Sequence, residues 1–161
     1  MRDRPAANDQ AIGIRHGRAW YLLVGALGLH VLDEATTGFL DFYNPLILRA
    51  RSRWAWFPMP TFTFRVWLFG LILLVVGLSL VGPLVRRGAA GTRAASGFLS
   101  AIMILNGMGH LLGSVYYARW LPGTTSAPLL LLASMLLARQ TWRRGRRRPQ
   151  QQERSPTDGT T

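Results

Sequence analysis

Cysteine and lysine are both absent from this 161-residue sequence. Without cysteine there is no disulfide and no thiolate metal site. All 19 basic residues are therefore arginine. Arg and Lys serve membrane topology alike, so that bias is expected to reflect genome base composition. Acidic residues are scarce, 7 in all, and the net charge is +12. A basic excess is one mark of nucleic-acid binding. Here the arginines flank apolar stretches, where anionic lipid headgroups would meet them, so no nucleic-acid partner is expected. No apolar segment of the cleaved-signal kind precedes the first long hydrophobic stretch, which is expected to act as its own anchor. No internal repeat and no second domain are evident.

Hydrophobic residues make up 49% of the chain, an ordinary share for a soluble domain. Their distribution is not ordinary. Long uncharged runs alternate with short arginine clusters, the pattern of a polytopic membrane protein. The expected fold is all-α: a bundle of four transmembrane helices at about 19–42, 64–85, 94–117 and 126–142. A polar head, 1–17, precedes them, and a basic tail, 143–161, is expected to be disordered. Between the first two spans lies an interfacial segment, 44–60. Asn44-Pro45 suits a helix start. Arg49, Arg51 and Arg53 then alternate with Leu46, Ile47, Leu48, Trp54 and Trp56. This segment reads either as an aromatic-belt connection or as a lid over a site.

Arginine placement orients the bundle. Arg2, Arg4, Arg15 and Arg18, then Arg86, Arg87 and Arg93, then Arg139 and the tail all fall on the N-terminal side. Only Arg49, Arg51, Arg53, Arg65 and Arg119 fall opposite. The positive-inside rule puts both termini in the cytoplasm of a multi-pass cell-membrane protein.

Against this apolar background one stretch stands out, His30-Val31-Leu32-Asp33-Glu34. A charged residue near the centre of a span costs about 2.5–3.5 kcal/mol on insertion scales. At about 100° per residue, His30, Asp33 and Glu34 share roughly 100° of arc. Thr37 and Asp41 continue that stripe, which must face protein or water. The third span carries a second polar group: Asn106 and His110, one turn apart, with Gly113 and Tyr117 on the same face. Both groups fall at a similar depth, toward the outer side.

His30, Asp33, Glu34 and His110 form a sufficient ligand set for a divalent metal such as Zn, Fe or Mn. With Asn106 beside them, they are the candidate catalytic residues. A metal there would activate water against an ester or amide of a lipid-like or apolar small-molecule substrate. Without metal, the same residues suit a proton relay in which a buried carboxylic acid donates and a histidine accepts. A proton- or cation-binding transport component and a non-catalytic scaffold are the other readings of the same pattern.

The two motifs together resemble the HXXEE-domain family of small bacterial membrane proteins. The first reads His30-x-x-Asp33-Glu34 and the second Asn106-x-x-x-His110. Tyr117 and the Pro122-Gly123-Thr124 turn are also similar to that family's segment after the histidine. The resemblance covers about 20–140. Asp33 stands where the motif has its first glutamate, which keeps the carboxylate and shortens its reach by one methylene. The resemblance implies a membrane fold and these site residues, and no particular activity.

Overall fold

Helix α1, Arg4–Thr37, is the staff on which the other elements are hung. Its 34 residues span about 51 Å at 1.5 Å per residue. The structure, a computed structural model, describes residues 4–152, with side chains described over 10–142. Among the described residues the chain is all-α, with no strand. After α1 come α2 (Phe39–Arg53), α3 (Phe64–Arg87), α4 (Thr92–Tyr116) and α5 (Ala127–Gln152).

The first span ends earlier than its composition predicts. The expected stop was Asn44-Pro45, but the chain breaks at Gly38, which adopts φ 76° and ψ 42°. That left-handed conformation is strained for any residue with a Cβ. Thr36 and Thr37 cover carbonyls of the last turn, Thr37 Oγ1 donating to the Asp33 carbonyl at 2.6 Å. Pro45 lies inside α2, where it forfeits one backbone bond. Asn44 caps no helix. Its side chain pairs with both backbone groups of Phe62, at 2.9 and 3.1 Å. Tyr43 donates to the Pro60 carbonyl and Arg51 to that of Met59, so the segment after α2 folds back along it.

α1 packs against α3 on one side and α5 on the other, and α5 packs in turn against α4. α1 and α3 run antiparallel, as do α4 and α5. Trp20 Nε1 donates to the Leu78 carbonyl at 2.9 Å, and Gly28 faces Val75. Gly107 of α4 lies against Ala127 and Leu131 of α5, and Gly97 near Thr141. α1 and α4 therefore run parallel, tied at two levels by His16–Ser96 and Glu34–His110. Leu23, Leu27, Val85, Met103, Leu130 and Leu137 fill the space between them.

α3 and α4 are long and apolar enough to cross a membrane. Yet only 11% of the most apolar stretch of α3 and 22% of that of α4 is buried. Leu73, Val76 and Leu80 on α3, and Phe98, Leu105 and Leu112 on α4, point outward. At the far end α5 runs on to Gln152, past residue 143, where a disordered tail was expected. Arg and Gln are good helix formers, so the basic composition does not itself end the helix. The remainder of that expected tail, 153–161, lies outside the described residues, as does the start of the expected head, 1–3.

Candidate metal centre

His30 and Glu34 are four residues apart on α1, so they project from the same face about 40° apart. Both are buried, 0% and 6% exposed. α4 brings His110, 9% exposed, across to them. Glu34 Oε1 lies 3.1 Å from His110 Nε2 and 3.6 Å from His30 Nε2. One ligand atom from each of the three side chains falls within 4.8 Å of the others. The imidazoles meet edge to face, with centroids 4.7 Å apart.

The protons can be counted. His110 Nδ1 lies 2.7 Å from the Pro122 carbonyl. A carbonyl only accepts, so Nδ1 carries a proton and a neutral His110 has its lone pair on Nε2. His30 is fixed in the same way through Ser126. With Asp33 as a carboxylate, Asp33 Oδ2 accepts from Ser126 N–H at 2.9 Å and from Ser126 Oγ–H at 2.7 Å. The hydroxyl has then spent its only proton. It accepts from His30 Nδ1, 2.8 Å away, which leaves the lone pair of His30 on Nε2. That buried nitrogen has no hydrogen-bond partner. With His110 neutral and Glu34 ionised, the cluster offers three lone-pair atoms and no donor. An ordinary tetrahedral metal site with 2.0–2.1 Å bonds sets its ligand atoms about 3.3–3.4 Å apart. The two distances from Glu34 bracket that value, and the three atoms as a set lie within 4.8 Å. Outer partners of the kind that fix metal-bound histidines, a carbonyl and a hydroxyl–carboxylate pair, are also in place.

The loop after α4 holds this geometry. Leu121 N–H donates to Ser114 Oγ at 3.1 Å. Ser114 then donates to Thr124 Oγ1 at 2.6 Å, and Thr124 donates to the His110 carbonyl at 3.4 Å. This chain presses the loop down on His110. Gly123 is at the contact, at φ 83°. A Cβ there would come within 2.7 Å of the His110 ring and 3.1 Å of Glu34 Cγ.

The family model described as "Protein of unknown function with HXXEE motif" matches residues 21–138. The chain belongs to the HXXEE family. No curated protein and no solved structure matches it. The HXXEE motif now has a division of labour. Its His and its final Glu, His30 and Glu34, supply cluster atoms. The position where this chain has Asp33 faces Ser126 instead, so the one departure from the motif's letters lies outside the three-atom cluster. The fourth expected ligand is in this sense a neighbour of the cluster. Asn106 is also outside it, on the wall of an adjoining cavity of about 320 Å³ that His110, Phe39, Phe42, Leu105 and Pro122 also line.

Two polar residues escaped the sequence reading. Ser126 carries no signal of its own in a Thr-Thr-Ser turn, and only its place at the start of α5 marks it. His16, 1% exposed, has Nε2 3.0 Å from Ser96 Oγ, whose own proton goes to the Thr92 carbonyl at 2.8 Å. It ties α1 to α4 at the end opposite the cluster.

Proposed function

We propose that this protein is an integral membrane metalloenzyme whose centre, formed by His30, Glu34 and His110, acts on a lipid-like substrate held in the adjoining cavity. The observation that carries the reading is the orphaned lone pair of His30 Nε2. A proton shared between Glu34 and His110 would satisfy the 3.1 Å contact. It would leave His30 Nε2, 3.6 Å from Glu34, beyond hydrogen-bond reach. A metal ion would give all three atoms a common partner. The metal reading is therefore favoured over the proton relay.

Membrane insertion is supported by the exposed apolar faces of α3 and α4, since the core helix of a soluble protein buries such a surface. The alternating directions of α1, α3, α4 and α5 suit four spans, with Arg15, Arg18, Arg86, Arg87, Arg93 and Arg139 at one end. That end is then cytoplasmic, together with both termini.

Two histidines and one carboxylate leave a coordination position open, as catalytic sites require. A bound divalent metal would supply a polarised carbonyl or an activated water there. The residues of the chain do the rest. Asp33 and Ser126 hold the His30 tautomer, and Pro122 holds that of His110. Asn106 offers an amide to the polar group of a substrate. Phe39, Leu105 and Leu121 give its apolar part a dry wall.

The experiment is metal content of the detergent-purified protein, wild type against a His30→Ala/His110→Ala double variant, with helicity and monodispersity checked on both. About one metal per chain in wild type, lost in a folded variant, is expected. A wild type that takes up no Zn, Fe or Mn after reconstitution overturns the reading.

A further inference from the structure

The cavity beside His110 shares wall residues with two further clefts. Phe42 and Tyr117, which line it, also line a cleft of about 240 Å³, and Leu46 and Tyr117 line a further cleft of about 420 Å³. The chemistry of the walls changes from one to the next. The inner cavity has Asn106, His110 and Tyr117 as its polar side chains, whereas the outer clefts are rimmed by Arg49, Arg53 and Arg119. Arg119 is held in position, its guanidinium carbon 5.6 Å from the Phe42 ring centre and 6.0 Å from that of Tyr117. Among the described residues no carboxylate pairs with Arg49, Arg53 or Arg119. Asp41 lines the smaller cleft, so the rim carries three positive charges against one negative. Trp54, Trp120 and Tyr116 are exposed at the same end, as residues at a bilayer interface are.

We propose that these arginine-rimmed clefts seat the phosphate of an anionic membrane phospholipid whose chain enters the cavity beside His110. A mostly apolar cavity adjoining arginine-rimmed clefts is complementary to a molecule with an anionic head and an apolar tail. Guanidinium groups pair with phosphate in a geometry that a zwitterionic head partly cancels with its own cation. The register along α4 adds a constraint. Tyr116, the last residue of α4, is six residues beyond His110, or about 9 Å along the helix, and Tyr117 next to it lines both outer clefts. The lipid's head-proximal atoms, not its chain terminus, therefore lie across His110. Resting on the metal reading for what happens there, this makes the substrate an anionic phospholipid processed near its backbone linkages.

The test uses the full chain in detergent, exposed to an equimolar mixture of phosphatidylglycerol and phosphatidylcholine and read by native mass spectrometry. Two net charges at about 1 kcal/mol each give a preference of about thirtyfold for phosphatidylglycerol. Arg49→Gln/Arg119→Gln should bring the ratio near unity, and Arg49→Lys/Arg119→Lys should keep most of it. Equal retention of the two lipids by wild type overturns the proposal. So does an unchanged preference in the Gln variant, or its loss in the Lys variant. Inorganic phosphate that displaces the lipid at matched concentration would mark a free-anion site and overturn it as well. Metal content is measured on the same preparations. Lipid preference without metal sinks the metal centre and spares the seat, and metal without lipid preference does the reverse.

Discussion

His30 Nδ1 meets the hydroxyl of Ser126 at 2.8 Å, across 96 residues of sequence. The same hydroxyl is 2.7 Å from Asp33 Oδ2. One small side chain at the start of α5 thus sets the direction in which His30 presents its lone pair. If the cluster holds a metal as proposed, removing this hydroxyl should loosen it without removing a ligand. Ser126→Ala is expected to weaken metal binding by about 10–100-fold, measured by competition with a chromophoric chelator. Ser126→Thr keeps the hydroxyl and should bind nearly as wild type.

Glu34→Gln separates charge from shape. The amide fills the same space between the two histidines but brings no negative charge and a weaker donor atom. Metal content should fall below one-tenth of the wild-type value, with helicity unchanged by circular dichroism. Asp33→Asn should cost less, because Asp33 acts through Ser126.

Two glycines with similar backbone angles should behave differently. Gly38 and Gly123 both have positive φ, 76° and 83°. Alanine at either is strained by about 1–2 kcal/mol. At Gly38 the Cβ would meet only the Asp41 carboxylate, at 3.0 Å, and metal content should survive a modest fall in melting temperature. At Gly123 the Cβ collides with the His110 ring, so Gly123→Ala should lose stability and metal together. Thermal melts paired with metal analysis read both.

The absence of cysteine makes topology directly measurable. Ser52→Cys and Thr125→Cys, both at exposed positions, should react with a membrane-impermeant maleimide in intact cells. Ala90→Cys, also exposed, should react only after permeabilisation. Labelling of Ala90→Cys alone would invert the orientation argued from the arginines.

Much of this was legible in the sequence for a physical reason. Helical periodicity made His30 and Glu34 share a face, and the apolar run around them made their polarity conspicuous. His110 stood out in the same way. The helical class of the fold followed from the long uncharged runs. What periodicity alone does not carry is contact across the bundle. Asp33 lies about 60° from His30 around α1, near enough to look like a fellow ligand, and only the arrival of Ser126 gives it another partner. The break at Gly38 was hidden because Asn44-Pro45 is the stronger local signal. Asn44 instead spends its side chain on Phe62, and Pro45 is tolerated within α2. Clefts rimmed by Arg49 and Arg119 depend on two segments about 70 residues apart, which no local pattern links.

The roof over the cluster is made of main chain: the Pro122 carbonyl and the bare Cα of Gly123, braced by Ser114 and Thr124. The centre is therefore not portable as three side chains. Anyone grafting His30, Glu34 and His110 onto a designed bundle would obtain the ligands without their tautomers or their spacing. The unit that would have to be transplanted is a pair of helix segments together with the turn from Ser114 to Ser126.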